Sequence, residues 1–111
     1  MQKHSLVALA REQLKRAHAA SAGRSAETVF GGHEHVLRQT LVALTAGTAL
    51  SEHENPGEAT VYVLFGRVEL RARTDVWVGR DGDLLIVPLS RHELHAIQDS
   101  AVLLTVAKAS R

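Results

Sequence analysis

The stretch GTALSEHENPGEATVYVLFG, residues 47–66, begins and ends on glycine and places a Pro–Gly turn just before an apolar run. The run, Val61 to Phe65, has the β-branched and aromatic composition of a strand. His53, Asn55 and Glu58 stand around the turn, so polar side chains gather where the strand begins. We expect this cluster to line a pocket that holds a metal ion, a small molecule or water.

The composition limits what the protein can be. Its 111 residues suffice for one domain with a single core. With seven histidines and no cysteine, a metal site would use nitrogen and oxygen ligands. The 13 Lys and Arg residues are scattered among 12 Asp and Glu residues, which argues against a nucleic-acid partner. Apolar runs are far shorter than the roughly 20 residues of a membrane helix. Charges between residues 11 and 16 interrupt any signal peptide, so a cytoplasmic protein without a membrane partner is expected.

Residues 5–22 are predicted to form a helix. Ser5 suits the N-cap, apolar residues follow at three- and four-residue spacing, and Gly23 suits the position just beyond the end. The apolar stripe is rich in alanine and modest, so we expect the helix to dock on the rest of the chain or on a second subunit. A partner-binding or DNA-reading helix is the less favoured alternative.

From Thr28 onward the pattern changes to short strand-like segments separated by glycines and Asp–Gly pairs. The predicted strands are residues 28–30, 36–45, 60–65, 67–73, 76–78, 84–87, 92–98 and 101–107. Many short strands at regular spacing, with no second helix, predict an antiparallel sandwich or barrel. We therefore divide the chain into an N-terminal helix, residues 1–24, and a barrel domain, residues 25–111.

The stretch at residues 47–66 resembles the first sequence motif of the cupins. That motif runs Gly, five residues, His-x-His, three or four residues, Glu, six residues, Gly. Here Gly47 is followed by five residues and His53-Glu54-Asn55, and six residues separate Ala59 from Gly66. The spacing matches throughout.

A second cupin-like motif follows at the compact separation typical of small bacterial members. It resembles the pattern Gly, five residues, Pro-x-Gly, two residues, His, three residues, Asn. Gly82 and Pro88 match, whereas His92 lies one residue nearer to the proline and Ala96 replaces the asparagine. The two motifs together imply an all-β fold: a cupin-type jelly-roll β-barrel with one N-terminal α-helix.

The resemblance implies a metal site of three histidines and one carboxylate, and half of that set is replaced here. His53 and His92 keep two ligand positions, whereas Asn55 and Ala59 stand where the second histidine and the glutamate belong. Glu58 is adjacent to the missing carboxylate, but a one-residue shift along a strand turns a side chain to the opposite face unless a bulge or turn intervenes. If Glu58 points inward, two histidines and a carboxylate fit a divalent ion such as Zn, Fe, Mn or Ni. If it points outward, the pocket is for another ligand.

Asn55, Gln39 and Tyr62 are the predicted contacts to a small polar ligand. Gln39 shares its parity with Leu37 and Leu41, so we expect it to point into the barrel; a glutamine satisfied by neighbouring backbone is the alternative.

Three further histidines are assessed separately. His33 and His35 follow a Gly–Gly pair, and their spacing would place both rings on one side of a strand. They form either a second metal site or, as the more common case, a solvated edge or subunit contact. His95 is three residues from His92 and is expected to face the opposite side.

Three functions remain open from the sequence. The first is a binding protein that holds a divalent metal ion or a small polar molecule through His53 and His92. The second is a metal-dependent enzyme of dioxygenase or isomerase type that uses these histidines with Glu58. The third is a scaffold for dimerisation, which the two retained histidines disfavour. Because the helix face and the apolar sheet edges need covering, we also predict a homodimer.

Overall fold

The structure is a computed structural model that describes residues 1–51, 57–73 and 75–108. These residues contain one helix and nine strands. The elements are α1 (Leu6–Ala19), β1 (Arg24–Phe30), β2 (Leu37–Leu44), β3 (Ala49–Ser51), β4 (Gly57–Phe65), β5 (Arg67–Ala72), β6 (Asp75–Arg80), β7 (Leu84–Val87), β8 (Glu93–Ala96) and β9 (Ser100–Lys108).

The strands form two antiparallel sheets packed face to face. The five-stranded sheet has the order β1-β2-β9-β4-β7, and the four-stranded sheet has the order β3-β8-β5-β6. Alternate residues of each strand point inward, and the inner faces of both sheets share one apolar core that includes Leu44, Val63 and Leu70. The predicted all-β jelly roll with an N-terminal helix is therefore confirmed.

Helix α1 lies on the outer face of the five-stranded sheet, where Ala10 packs against Leu41 and Ala101. Ser5 caps the helix as predicted, since its hydroxyl accepts a hydrogen bond from the Ala8 N–H at 3.3 Å. The helix ends at Ala19 instead of residue 22 because the backbone of the next residue is already extended. No helix in the described residues is long and apolar enough to cross a membrane.

Two strands differ most from the sequence prediction. β1 begins at Arg24 instead of residue 28, and β3, Ala49–Ser51, was not predicted. Both are edge strands. The start of β1 carries polar residues on both faces, and β3 is only three residues long, so neither shows a clear alternation of apolar and polar residues.

Gly66, which ends the first motif, occupies a position that a larger residue would not fit. Its φ is +105°, and a Cβ atom there would collide with the Ser100 side chain and the Asp99 backbone. Its N–H donates to Asp81 Oδ1 at 2.7 Å. The glycine thus holds the β4–β5 turn against the two neighbouring turns at the closed end of the barrel.

Candidate ligand site at the barrel mouth

The mouth of the barrel is the end at which β4 begins and β7 ends, and His92 lies there. The residue is only 6% exposed. Leu94 and Ala96, two and four residues further along, belong to the core, so alternation and burial both place His92 on the inner side.

The ring of His92 is held by the backbone just before it. Its Nδ1 lies 3.0 Å from the Ser90 carbonyl oxygen, which can only accept a hydrogen bond. The bonded proton is therefore on Nδ1, and whenever the ring is neutral the lone pair is on Nε2. A nitrogen in this state accepts a hydrogen bond from a ligand or coordinates a metal ion.

The first motif brings Ala59, not Glu58, to the inner face. Ala59 is buried in the core, whereas Glu58 is exposed and pairs with Ala107 on the outer face. The β4–β9 register runs without a shift from Gly57 to Val63, so no bulge turns Glu58 inward. The carboxylate needed for the predicted metal site with His92 therefore points away from the barrel interior.

His53 and Asn55, the other two first-motif residues of the prediction, lie outside the described residues. Within the described part of the chain, no three His, Asp or Glu side chains come together as metal ligands. The inner position that the resemblance assigns to a carboxylate is an alanine. The described residues thus do not fit the metal site of three histidines and one carboxylate.

The two other predicted ligand contacts also lie outside the barrel. Gln39 pairs with Thr105, and its Nε2 donates to the Thr105 hydroxyl at 3.2 Å on the outer face. The predicted inward orientation of Gln39 is therefore wrong: Leu41, of the same parity, packs under the helix, while Val42 enters the core. Tyr62 is likewise exposed, on the face of β4 opposite the core.

The remaining histidines are dispersed over the surface. His33 and His35 are exposed and lie in the turn between β1 and β2 instead of on a strand. The His35 ring contacts the Phe30 ring at a centroid distance of 4.9 Å. His95 faces the side opposite His92, as predicted, and its Nε2 lies 2.8 Å from Glu93 Oε1.

A cleft of about 390 Å³ on the inner side contains residues that the sequence did not single out. We call it the inner cleft; β1, β2, β3 and β9 form it. Its lining residues are Arg24, Ser25, Ala26, Thr28, Arg38, Thr40, Val42, Leu50 and Leu104. Leu50 pairs with Leu94, two residues beyond His92, so the inner cleft and His92 belong to the same interior.

Comparisons with known proteins address the fold. No family model matches the sequence, and the curated proteins contain no match. Solved structures do resemble it. A cupin superfamily protein from Desulfitobacterium hafniense has a TM-score of 0.71 at 16% identity, over 78% of each chain. An RmlC-like cupin protein from Desulfovibrio desulfuricans has a TM-score of 0.66 at 26% identity, over 76% of this chain and 81% of that one.

A larger enzyme contains the same arrangement of strands. The salicylate 1,2-dioxygenase of Pseudoaminobacter salicylatoxidans, solved with gentisate adducts, has a TM-score of 0.72 at 20% identity. The match covers 91% of this chain but only 31% of the dioxygenase. Together with the two smaller neighbours, this likeness confirms what the two motifs predict: the chain is a small protein of the cupin fold.

Proposed function

We propose that the protein binds a small polar molecule inside the barrel, with His92 as a contact at the mouth and His53 as its partner from the first motif. The observation that carries this proposal is the state of His92. The ring is buried and its Nδ1 is bonded to the Ser90 carbonyl, which leaves Nε2 as the nitrogen for a ligand. A buried imidazole with one nitrogen held in place and the other available is suited to orient a polar ligand.

A divalent ion has less support than a small molecule. Zn, Fe, Mn or Ni would have to be held by His92 together with residues 52–56, because Ala59 supplies no ligand and Glu58 faces outward. Two imidazoles without the Glu58 carboxylate fall short of the usual catalytic zinc or non-haem iron sites. The metal-dependent enzyme of dioxygenase or isomerase type therefore remains the alternative, supported by the fold that the chain shares with salicylate 1,2-dioxygenase.

Native mass spectrometry of the purified protein, together with its metal content, tests this proposal. We expect salicylate or gentisate, the first molecules to try, or a co-purified molecule to bind the wild type. His92→Ala should lose this binding, and His95→Ala, on the opposite side of β8, should keep it. Equal binding by both variants would contradict the proposal. A stoichiometric metal lost in both His53→Ala and His92→Ala would instead support the enzyme alternative.

We further propose that the protein is a homodimer through the part of the outer face that α1 leaves uncovered. Leu84 and Ile86 on β7 and Tyr62 on β4 expose large apolar surface there, and Ile86 is 60% exposed. Light scattering should give a dimer for the wild type and a monomer for Ile86→Glu. Val76→Glu, at a residue 54% exposed on the other sheet, is the matched control and should stay dimeric. A monomeric wild type at micromolar concentration would defeat this proposal.

A further inference from the structure

We propose that the inner cleft selects a small organic anion, whose carboxylate pairs with Arg38 and whose apolar part lies against Val42, Leu50 and Leu104. This inference rests on the proposed function, because it names the class of ligand that the same barrel interior takes.

Arg38 is placed at the mouth by the strand register. It pairs with Val106, which in turn pairs with Ala59, so the three residues form one row across the inner face. Arg38 and Ala59 are two strands apart, roughly 10 Å between Cα atoms. The position that would carry a carboxylate in a metal site is apolar here, and a guanidinium lies in the same row. This arrangement favours an anion over a divalent cation.

Among the described residues, no carboxylate lines the inner cleft to neutralise its positive charge. Arg24 and Arg38 are its charged lining residues, and no Asp or Glu is among them. Within residues 1–51, 57–73 and 75–108, neither arginine makes an ion pair or hydrogen bond with another side chain. Two guanidiniums with unused donors on a concave surface raise the local potential for anions.

The remaining walls suit an organic anion better than an inorganic one. Val42, Leu50 and Leu104 provide an apolar surface, and the Thr28 and Thr40 hydroxyls, 3.5 Å apart, add polar contacts beside it. The volume of about 390 Å³ lies within the range of small-molecule sites. Arg24 is six residues further along the paired strands, roughly 20 Å from Arg38 between Cα atoms, so it acts on a carboxylate at Arg38 only at long range.

An NMR titration of the full chain with benzoate and benzamide tests the inference, because these probes share their shape but differ in charge. Benzoate should shift the backbone amides of Thr40, Val42 and Leu104 saturably, and benzamide should bind more weakly. Arg38→Gln should weaken benzoate binding about 10-fold, the loss expected for one charge-assisted contact. Arg38→Lys keeps the charge but loses the planar guanidinium, so its affinity for benzoate should lie between those of the wild type and Arg38→Gln.

Arg11→Gln, the same charge change on the helix, is the control and should bind benzoate as the wild type does. An unchanged amide spectrum of each variant outside the inner cleft shows that it is folded. Equal binding of benzoate and benzamide, equal effects of Arg38→Gln and Arg11→Gln, or no saturable shift in the cleft would each overturn the inference. If a neutral molecule binds through His92 and does not need Arg38, the inference that the ligand is an anion is wrong, while the proposed function stands. Absence of any binding in the barrel would overturn both.

Discussion

The two faces of the five-stranded sheet differ in whether their polar side chains have hydrogen-bond partners among the described residues. On the outer face, Gln13 of the helix is 1% exposed, accepts a hydrogen bond from the Ser25 hydroxyl and donates to Glu27 Oε1 at 3.0 Å. On the inner face, Arg24 and Arg38 have no such partner among the described residues. Polar groups that are paired hold the helix on the sheet, whereas the unpaired ones remain available to a ligand. One face of the sheet therefore uses its polar side chains to hold the helix, and the other face carries the arginines that we propose bind a ligand.

The outer face has a second polar anchor at the end of the helix. His18 Nε2 donates to Asp99 Oδ2 at 2.8 Å, and the Ala46 N–H donates to Asp99 Oδ1 at 2.9 Å. Asp99 thus joins the helix to two turns of the barrel. Both His18 and Asp99 are substantially exposed, so the ion pair itself contributes little stability.

The largest expected effects come from removing one leucine on each face of β2. Leu44 lies in the core between the sheets and Leu41 lies under the helix, and both are fully buried. Each change to Ala should lower the free energy of unfolding by about 2–5 kcal/mol, measured by urea denaturation. Amide exchange should distinguish the two. Leu41→Ala should speed exchange mainly in α1, whereas Leu44→Ala should speed it throughout both sheets. Identical exchange patterns would show that the helix and the barrel unfold as one unit.

An intermediate effect is expected for Gln13, the glutamine on the buried face of the helix. Gln13→Ala leaves Ser25 and Glu27 without their buried partner and should destabilise the protein by about 1–3 kcal/mol. Gln39→Ala is the matched control, since Gln39 is only half-buried and its side chain bonds, among the described residues, to Thr105. Gln39→Ala should lower the free energy of unfolding by about 0.5–1.5 kcal/mol in the same denaturation experiment. A larger effect for Gln39 than for Gln13 would contradict the assignment of Gln13 as the polar anchor of the helix.

The smallest effect is a dependence of stability on acid. The Ala46 N–H, followed by His18, holds the pKa of the Asp99 carboxyl below its ordinary value of 3.8, although burial acts in the opposite direction. Because the native pKa is lower than the unfolded one, the stabilisation is full above pH 3.8 and is lost as pH falls through the native pKa. The free energy of unfolding of Asp99→Asn should therefore fall less than that of the wild type as the pH is lowered from neutral through the native pKa of Asp99.

Asp75→Asn, on an edge strand, serves as the control for this acid titration. Urea midpoints of the wild type and both variants should be measured from neutral pH down to acid pH. Only Asp99→Asn should show a changed dependence of the midpoint on pH. Parallel curves for the wild type and both variants would remove Asp99 from the acid response.

The orientation of β2 shows why part of the site could not be predicted. Alternation along Leu37–Leu44 shows apolar residues at both parities, because the helix covers one face of this strand and the second sheet covers the other. The sequence therefore could not tell which parity is the interior. The parity of Leu41 predicts that Gln39 points inward, whereas the residues that face the core have the parity of Val42, which Arg38 shares. A helix docked on the sheet is a tertiary contact with no signal in the strand itself.

The stretch at residues 47–66 shows how far the sequence by itself reaches. Its glycines and apolar strand, like the segments that follow, predict an antiparallel sandwich or barrel, since turns that need glycine and strands that alternate are local properties. The jelly roll is what the resemblance of both motifs to the cupins implies. That His92 and His95 face opposite sides also follows from alternation alone. Only the tertiary structure decided that Glu58 faces outward and Arg38 inward. Which face of a strand becomes the interior depends on what packs against it, and that is decided by residues distant in sequence.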